Sequence, residues 1–171
     1  MSEKAIEEHS HRNIQYVKAD LNKMNSEKDK IADIIYSSAA FHFIEDLDSL
    51  FRKIYTLLKD DGKFVFSIEH PIASANPNLR GSYGIGGAED SVYYKLKSYF
   101  DEGKREFSWF DPDIPAASYH HTFSTIVNAL SNAGFFIEQM EEPAPDERYD
   151  AVLHKLCSAR PSLLIIICSK R

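Results

Sequence analysis

Cysteine, glycine, proline and long apolar runs are all scarce in this sequence. The 171 residues include only two cysteines, Cys157 and Cys168, which excludes a disulfide framework and fits a reducing compartment. With 7 glycines and 7 prolines, the composition also excludes collagen-like chains. The longest apolar run, at 163–168, is far shorter than the about 20 residues that span a bilayer. The N-terminus (MSEKAIEE) lacks the apolar core of a signal peptide, so we expect a cytoplasmic protein.

An excess of positive charge is also absent. Lys and Arg total 20 against 26 Asp and Glu, which gives a formal net charge of −6. This balance predicts no general attraction to nucleic-acid phosphates or to anionic membranes. The length and the 43% hydrophobic content suit one domain, residues 1–171, with a single buried core.

The first half of the chain alternates strand and helix patterns. Residues 13–19 alternate in polarity and predict a short strand, and the β-branched run at 31–37 predicts a strand covered on both faces. Apolar residues then recur at spacings of three and four from Leu47 to Leu58, which predicts a helix with Asp46 as its N-cap. We expect Asp61-Gly62 to end this helix. A further strand at 63–68 completes a βαβ unit, which is typical of a parallel sheet.

The second half begins with a stretch of different character. Residues 72–118 contain a glycine cluster and many aromatic residues, and we expect an irregular insertion or lid there. A helix at 122–132, ended by Gly134, and a strand at 135–140 follow. A proline-rich acidic loop separates them from a last strand at 163–168.

Three stretches in order resemble one known family. They are YVKAD at 16–20, ADIIYSSAAFHFIEDLDSLFRKIYTLLKDDGKFVFSIEHP at 32–71, and YHHTFSTIVNALSNAGFFIEQMEEPAP at 119–145. Together they resemble class I S-adenosylmethionine-dependent methyltransferases of the UbiE-like, type 11 group. The resemblance implies an α/β, Rossmann-like methyltransferase sheet, mostly parallel with a C-terminal antiparallel strand pair. It also implies methyl transfer from S-adenosyl-L-methionine to a small-molecule acceptor.

The same resemblance implies roles for individual residues. Asp20 and the Leu21 backbone would contact the adenine, Ser37 and Ser38 would border the methionine part of the cofactor, and Phe41 and His42 would line the pocket. His70, Tyr119 and His120 would face the methyl acceptor, and the two histidines are candidates for a base because imidazole titrates near neutral pH.

The residues by themselves also allow simpler roles for these positions. Asp20 is equally typical of a turn, and Ser37-Ser38 of a tight strand-to-helix loop. Phe41 fits a hydrophobic core with a satisfied His42 beside it, and His70-Pro71 fits a structural strand exit. We expect no metal site, because His120-His121 has no carboxylate or cysteine neighbours at ligand spacing.

Part of the family's pattern is missing from this sequence. Neither the glycine-rich turn nor the first two strands of such methyltransferases can be recognised, and nor can the acidic residue that binds the ribose. Three outcomes are open: a fragment or mis-started gene, a smaller sheet in which 13–19 pairs with 31–37, or a sheet edge shared with another chain, as in a homodimer. The alternative function is therefore a non-catalytic remnant that acts as a binding or oligomeric partner.

Overall fold

A computed structural model describes residues 7–23, 30–76, 83–86, 91–108, 115–146, 148 and 151–170. The strands are β1 (Ala32–Ser37), β2 (Leu58–Glu69), β3 (Tyr83–Gly86), β4 (Ser91–Tyr94), β5 (Gly103–Ser108), β6 (Pro115–His120), β7 (Phe136–Glu141) and β8 (Leu163–Ser169). The α-helices bounded within these residues are α1 (Leu47–Leu57), α2 (Pro71–Ser74), α3 (Phe123–Ala133) and α4 (Ala151–Ser158), and 3-10 turns form at Leu21–Lys23 and Phe41–Phe43.

Four strands form the main sheet in the order β1-β2-β8-β7. β1 and β2 are parallel, as the βαβ pattern predicts, and β8 runs antiparallel to both β2 and β7. The predicted Rossmann-like α/β class, with its antiparallel C-terminal strands, is thus confirmed.

The helix between the parallel strands begins where the sequence predicts. The Asp46 carboxylate accepts a hydrogen bond from the Ser49 backbone N–H at 2.9 Å, which is the contact of an N-cap. The apolar stripe of α1 is buried, including Leu50, Phe51 and Ile54. Its predicted end was wrong. The helix ends at Leu57, and Asp61-Gly62 lies within β2, where Leu58 already pairs with β1 and has a fully buried side chain.

Lys170, which is distant in sequence, donates hydrogen bonds to backbone oxygens at the C-terminal end of α1. Lys170 Nζ donates to the backbone oxygens of Tyr55 and Leu58 at 2.8 and 2.9 Å. A cation suits this position because the last carbonyls of a helix lack partners and carry partial negative charge.

The helix predicted at 122–132 is observed as α3, one residue later. The Thr122 hydroxyl accepts from the Thr125 backbone N–H, and Gly134 ends α3 with a φ of 98°, a left-handed conformation that glycine adopts easily. α1 and α3 pack against each other. The buried residues of both helices join those of β2 and β8 in one hydrophobic core.

Phenylalanine side chains dominate this core. Phe64 and Phe66 of β2 stack with ring centroids 4.7 Å apart, and Phe51 lies 5.5 Å from Phe66. All three are fully buried. Aromatic pairs at such distances contribute beyond their buried area, so this cluster is the main apolar contact between α1 and the sheet.

Two further predictions about secondary structure need correction, and one helix was not predicted. Residues 13–19 form no strand, because none of the described residues provides a neighbouring ladder, and Val17 is 73% exposed. The stretch 72–118 contains two antiparallel hairpins, β3–β4 and β5–β6, although its short strands show no clear alternation in sequence. Helix α4 was not predicted, although Asp150, a residue type that often caps helices, directly precedes it in the sequence.

Within the described ranges, no helix is both long and apolar enough to cross a membrane.

Replacing Phe66 with alanine should lower the free energy of unfolding by about 3–5 kcal/mol, because a buried ring would leave a cavity. Urea unfolding monitored by circular dichroism measures this change. Phe100, which is 90% exposed, provides the control, and Phe100→Ala should change stability by no more than about 0.5 kcal/mol. Equal effects of the two substitutions would contradict the described core.

Candidate functional site

The carboxyl ends of β1 and β2 lie side by side. The two strands are parallel and Ser37 pairs with Phe66, so the loop after Ser37 lies beside the last residues of β2, which ends at Glu69. In open α/β sheets this edge is where ligands bind, because the loops that follow the strands converge there. The serines and His70 thus follow neighbouring parallel strands at the same edge of the sheet.

The loop after β1 is held in an unusual backbone conformation. Ala39 has a φ of 47°, in the left-handed region that residues with a Cβ rarely adopt. Its backbone N–H donates to both the carbonyl oxygen and the hydroxyl oxygen of Ser67, at 3.1 and 3.0 Å. Strained backbone of this kind is concentrated at ligand sites. Ser67 was not singled out from the sequence, although it lies two residues before Glu69.

The 3-10 turn Phe41–Phe43 contains two of the predicted pocket residues, Phe41 and His42, but they have different surroundings. Phe41 is only 3% exposed, and its ring lies 5.3 Å from that of Phe66. Phe41 is therefore a core residue, and the prediction that it contacts the cofactor is not supported.

His42 occupies a different environment on the same turn. Its ring is half-buried 4.2 Å from that of Phe43, and its Nδ1 atom is buried without a hydrogen-bond partner in the described part of the chain. Burial lowers the pKa of His42, which favours the neutral ring. A buried, unsatisfied nitrogen is costly, so His42 is suited to a hydrogen bond with a bound ligand.

Asp20 does not lie at the end of a strand, contrary to the prediction. Its carboxylate accepts from the Asn22 backbone N–H at 3.0 Å and starts the 3-10 turn Leu21–Lys23. This is the turn role that the sequence left open. Leu21 packs against the core and so anchors this turn to the domain.

His70 is 3% exposed and both of its ring nitrogens are engaged. Nδ1 accepts from the Ile72 backbone N–H at 3.1 Å and caps α2, so the proton of the neutral ring lies on Nε2. Nε2 donates to Glu142 Oε1 at 2.7 Å. Burial lowers the pKa of His70, and the Glu142 carboxylate opposes this effect. No basic nitrogen is free in this arrangement, which is a structural role rather than that of a base.

His120 is completely buried and likewise has no free nitrogen. Nε2 donates to the Tyr99 carbonyl oxygen at 2.8 Å, which leaves Nδ1 to accept from the Ser74 hydroxyl at 2.7 Å. Burial lowers the pKa of His120, opposed by the bond to Tyr99. The prediction of His120 as a base facing the acceptor therefore does not agree with its surroundings. Tyr119 is half-buried on β6 and pairs across the hairpin with Lys104.

Two further polar residues of this region were given no individual role from the sequence. His121, 8% exposed, donates from Nε2 to the Ile44 carbonyl oxygen at 2.9 Å, just after the turn that carries His42. At the end of β2, burial raises the pKa of the Glu69 carboxyl, and the Arg160 guanidinium opposes this rise. Only the adjacency of Glu69 to His70, and of His121 to His120, could have indicated them.

Metal and thiol chemistry find little support at this edge. The described ranges contain no cluster of three His, Cys, Asp or Glu side chains that could hold a metal ion. Cys168 is fully buried, and burial raises the pKa of its thiol to about 12. Such a thiol is not a nucleophile at neutral pH.

Comparison with known proteins places this geometry in a family. A methyltransferase domain family matches residues 1–66. The chain is 33% identical to an S-adenosylmethionine-dependent methyltransferase from Mesorhizobium loti, over 91% of this chain and 69% of that one, with a TM-score of 0.76.

The chain belongs to the S-adenosylmethionine-dependent methyltransferases. A Listeria monocytogenes protein assigned to the same family is 25% identical over 99% of this chain and 75% of its own, with a TM-score of 0.83. An uncharacterized Haemophilus influenzae protein is 40% identical over 139 residues. Those residues are 81% of this chain, but they span only 54% of that relative's length.

For this methyltransferase we expect stability to fall as the pH drops below about 6.5, the ordinary histidine pKa. Burial holds the pKa of His70 lower in the folded chain, so the unfolded chain takes up its proton at higher pH. His70→Asn keeps an oxygen that can cap α2 but cannot titrate. The drop in urea midpoint between pH 7.5 and 5.5 should therefore be smaller in His70→Asn. His9→Asn, at an exposed position, is the control and should retain the full drop. Identical drops in the three proteins would contradict this role for His70.

Proposed function

We propose that this chain transfers a methyl group from S-adenosyl-L-methionine to a small-molecule acceptor, as one methyltransferase domain with residues 72–118 beside the acceptor. The observation that carries the proposal is the tethered loop after β1. Its strained Ala39 is fixed by Ser67 on the neighbouring parallel strand, at the edge where α/β sheets bind ligands. The family membership of the chain supports the choice of cofactor.

This chain would hold one side of the cofactor. Ser37 and Ser38 border the tethered loop, and His42 offers a buried ring nitrogen that has no partner among the described residues. Asp20 and the Leu21 backbone are proposed on the adenine side, where the exposed Asp20 carboxylate can still accept a further hydrogen bond. Phe41 supports the site from the core and is not proposed as a contact.

The protein's task in this reaction is alignment. The cofactor supplies an electrophilic methyl group, and catalysis then requires the acceptor to be held in line at close range. His70 and His120 have both ring nitrogens engaged, so we propose that they shape the acceptor side rather than remove its proton. Of the three residues first considered, we retain Tyr119 as the one facing the acceptor.

A small molecule is the better acceptor class. The net charge of −6 disfavours a nucleic-acid substrate, because it gives no general attraction to phosphates.

Calorimetric titration with S-adenosylhomocysteine tests the proposal. We expect the wild-type chain to bind this product, and Ser67→Ala to weaken binding by about 3- to 10-fold because a hydrogen bond that fixes the loop is lost. Thr56→Val is the matched control. It also removes a hydroxyl that is bonded to the backbone, in this case by donating to the Arg52 and Lys53 oxygens at the opposite end of α1, and it should leave the affinity unchanged. A folded wild-type chain that fails to bind would refute the proposal for this chain.

A second candidate function is that of a non-catalytic partner that pairs through the edge of its sheet. β1 is the edge strand, and within the described residues its outer side pairs with no other strand. Ile34 and Tyr36 are 66% and 71% exposed. The one charge on β1, Asp33, is paired with Lys59 at 2.8 Å, so the two charges offset each other at this edge. An antiparallel two-fold pairing of β1 with a second copy would place Ile34 opposite Ile35.

Light scattering after size-exclusion chromatography tests this second candidate. A homodimer is expected, and Ile34→Lys should shift it to monomer because each lysine would have to lie opposite the apolar Ile35 of the other copy on the shared edge. Leu96→Lys is the control, since Leu96 is 54% exposed away from β1 and its change should leave the dimer intact. A monomeric wild-type chain would exclude edge pairing.

A further inference from the structure

We propose that His120 and His121, the histidine pair, are positioning residues that hold the β5–β6 hairpin against both loops of the ligand edge. The inference rests on the proposed function, because it assigns this hairpin to the wall of the acceptor site. It adds His121 and Ser74, which the resemblance did not indicate, and it changes the role of His120 from base to support.

The two rings belong to consecutive residues but contact opposite sides of the site. His120 is 0% exposed and bonds to Ser74 and Tyr99, whereas His121 is 8% exposed and bonds to Ile44. Burying an imidazole is costly unless its polar atoms are paired. Two such residues in sequence therefore fix the end of β6 firmly.

His121 connects the hairpin to the cofactor side. The Ile44 carbonyl oxygen that accepts from His121 ends the turn Phe41–Phe43, and the Ile44 N–H closes this turn by donating to Phe41 O at 3.1 Å. The turn also packs against β6. His42, with its unsatisfied Nδ1, lies in the middle of the turn. The His121 bond therefore fixes the segment that orients His42.

His120 connects the same hairpin to the end of β2. Ser74 lies in α2, whose N-cap is His70 at the carboxyl end of that strand. The Ser74 hydroxyl donates to His120 Nδ1 at 2.7 Å, and this bond requires the neutral ring with its proton on Nε2. The Tyr99 carbonyl oxygen accepts a hydrogen bond from this Nε2–H, and the Tyr99 hydroxyl oxygen accepts one from the Phe123 backbone N–H at 3.0 Å.

The first turn of α3 anchors the chain directly after the histidine pair. Glu102 accepts from the Thr122 backbone N–H and from the Thr125 hydroxyl, so the residue directly after the pair is itself anchored. The end of β6 thus cannot shift without breaking bonds to α2, to the turn after β1 and to the start of α3. This makes the pair suited to fixing the distance between cofactor and acceptor, to which methyl transfer is sensitive.

Hydrogen–deuterium exchange tests the pair without any ligand. His121→Leu should speed exchange of the Phe43 and Ile44 amides by about 10-fold, because the turn loses its tether. His121→Gln keeps an N–H near the Nε2 position and should stay within about twofold of wild type. Lys170→Met is the control for lost stability, since it removes two bonds at the other end of α1 and should leave these amides unchanged once global unfolding is accounted for.

Titration with S-adenosylhomocysteine adds the functional readout. His121→Leu should weaken binding by about 5- to 10-fold, and His121→Gln and Lys170→Met should not. The inference is overturned if His121→Leu leaves the Phe43 and Ile44 amides unchanged, or if Lys170→Met affects them equally. A wild-type chain that does not bind would refute the proposed function, while the exchange data would still decide whether the pair holds the turn.

Discussion

The parallel pairing of β1 with β2 is the constraint on which the rest of this structure depends. Because the two strands run in the same direction, the chain must cross over between them, and α1 makes that crossing. The crossing brings the carboxyl ends of both strands, with Ser37 and His70, to one edge of the sheet. The same crossing places α1 over the phenylalanine rings of β2, so the core and the ligand edge have a common origin.

The polar residues of the edge stabilise loops more than they offer free chemistry. Ser67 holds the loop after β1, His70 caps α2, and the histidine pair holds the hairpin. This division agrees with a reaction whose reactivity belongs to the cofactor and whose protein mainly positions two molecules. His42 differs from them, because its buried Nδ1 has no protein partner in the described structure.

Sequence reasoning succeeded where one local signal coincided with burial. α1 begins at its predicted cap, Asp46, and α3 begins one residue after its predicted start, with Thr122 as its N-cap. It failed where tertiary partners decide, because residues 13–19 alternate in polarity but have no strand among the described residues to pair with. The individual site roles followed from family resemblance, which located the edge but could not show that His120 is enclosed on all sides. Hydrogen-bond partners far apart in sequence, such as His121 and Ile44, leave no local pattern to read.

The position of β8 has a consequence for how the protein is made. This strand is late in the sequence, yet it lies between β2 and β7 in the middle of the sheet. During synthesis the edges of β2 and β7 that bind β8 therefore remain unpaired until more than 160 residues have left the ribosome. Open apolar edges are prone to pairing with other chains, and long-range pairing is slow. Translation rate and chaperone access should thus influence the yield of folded protein more than the stability of the finished fold does.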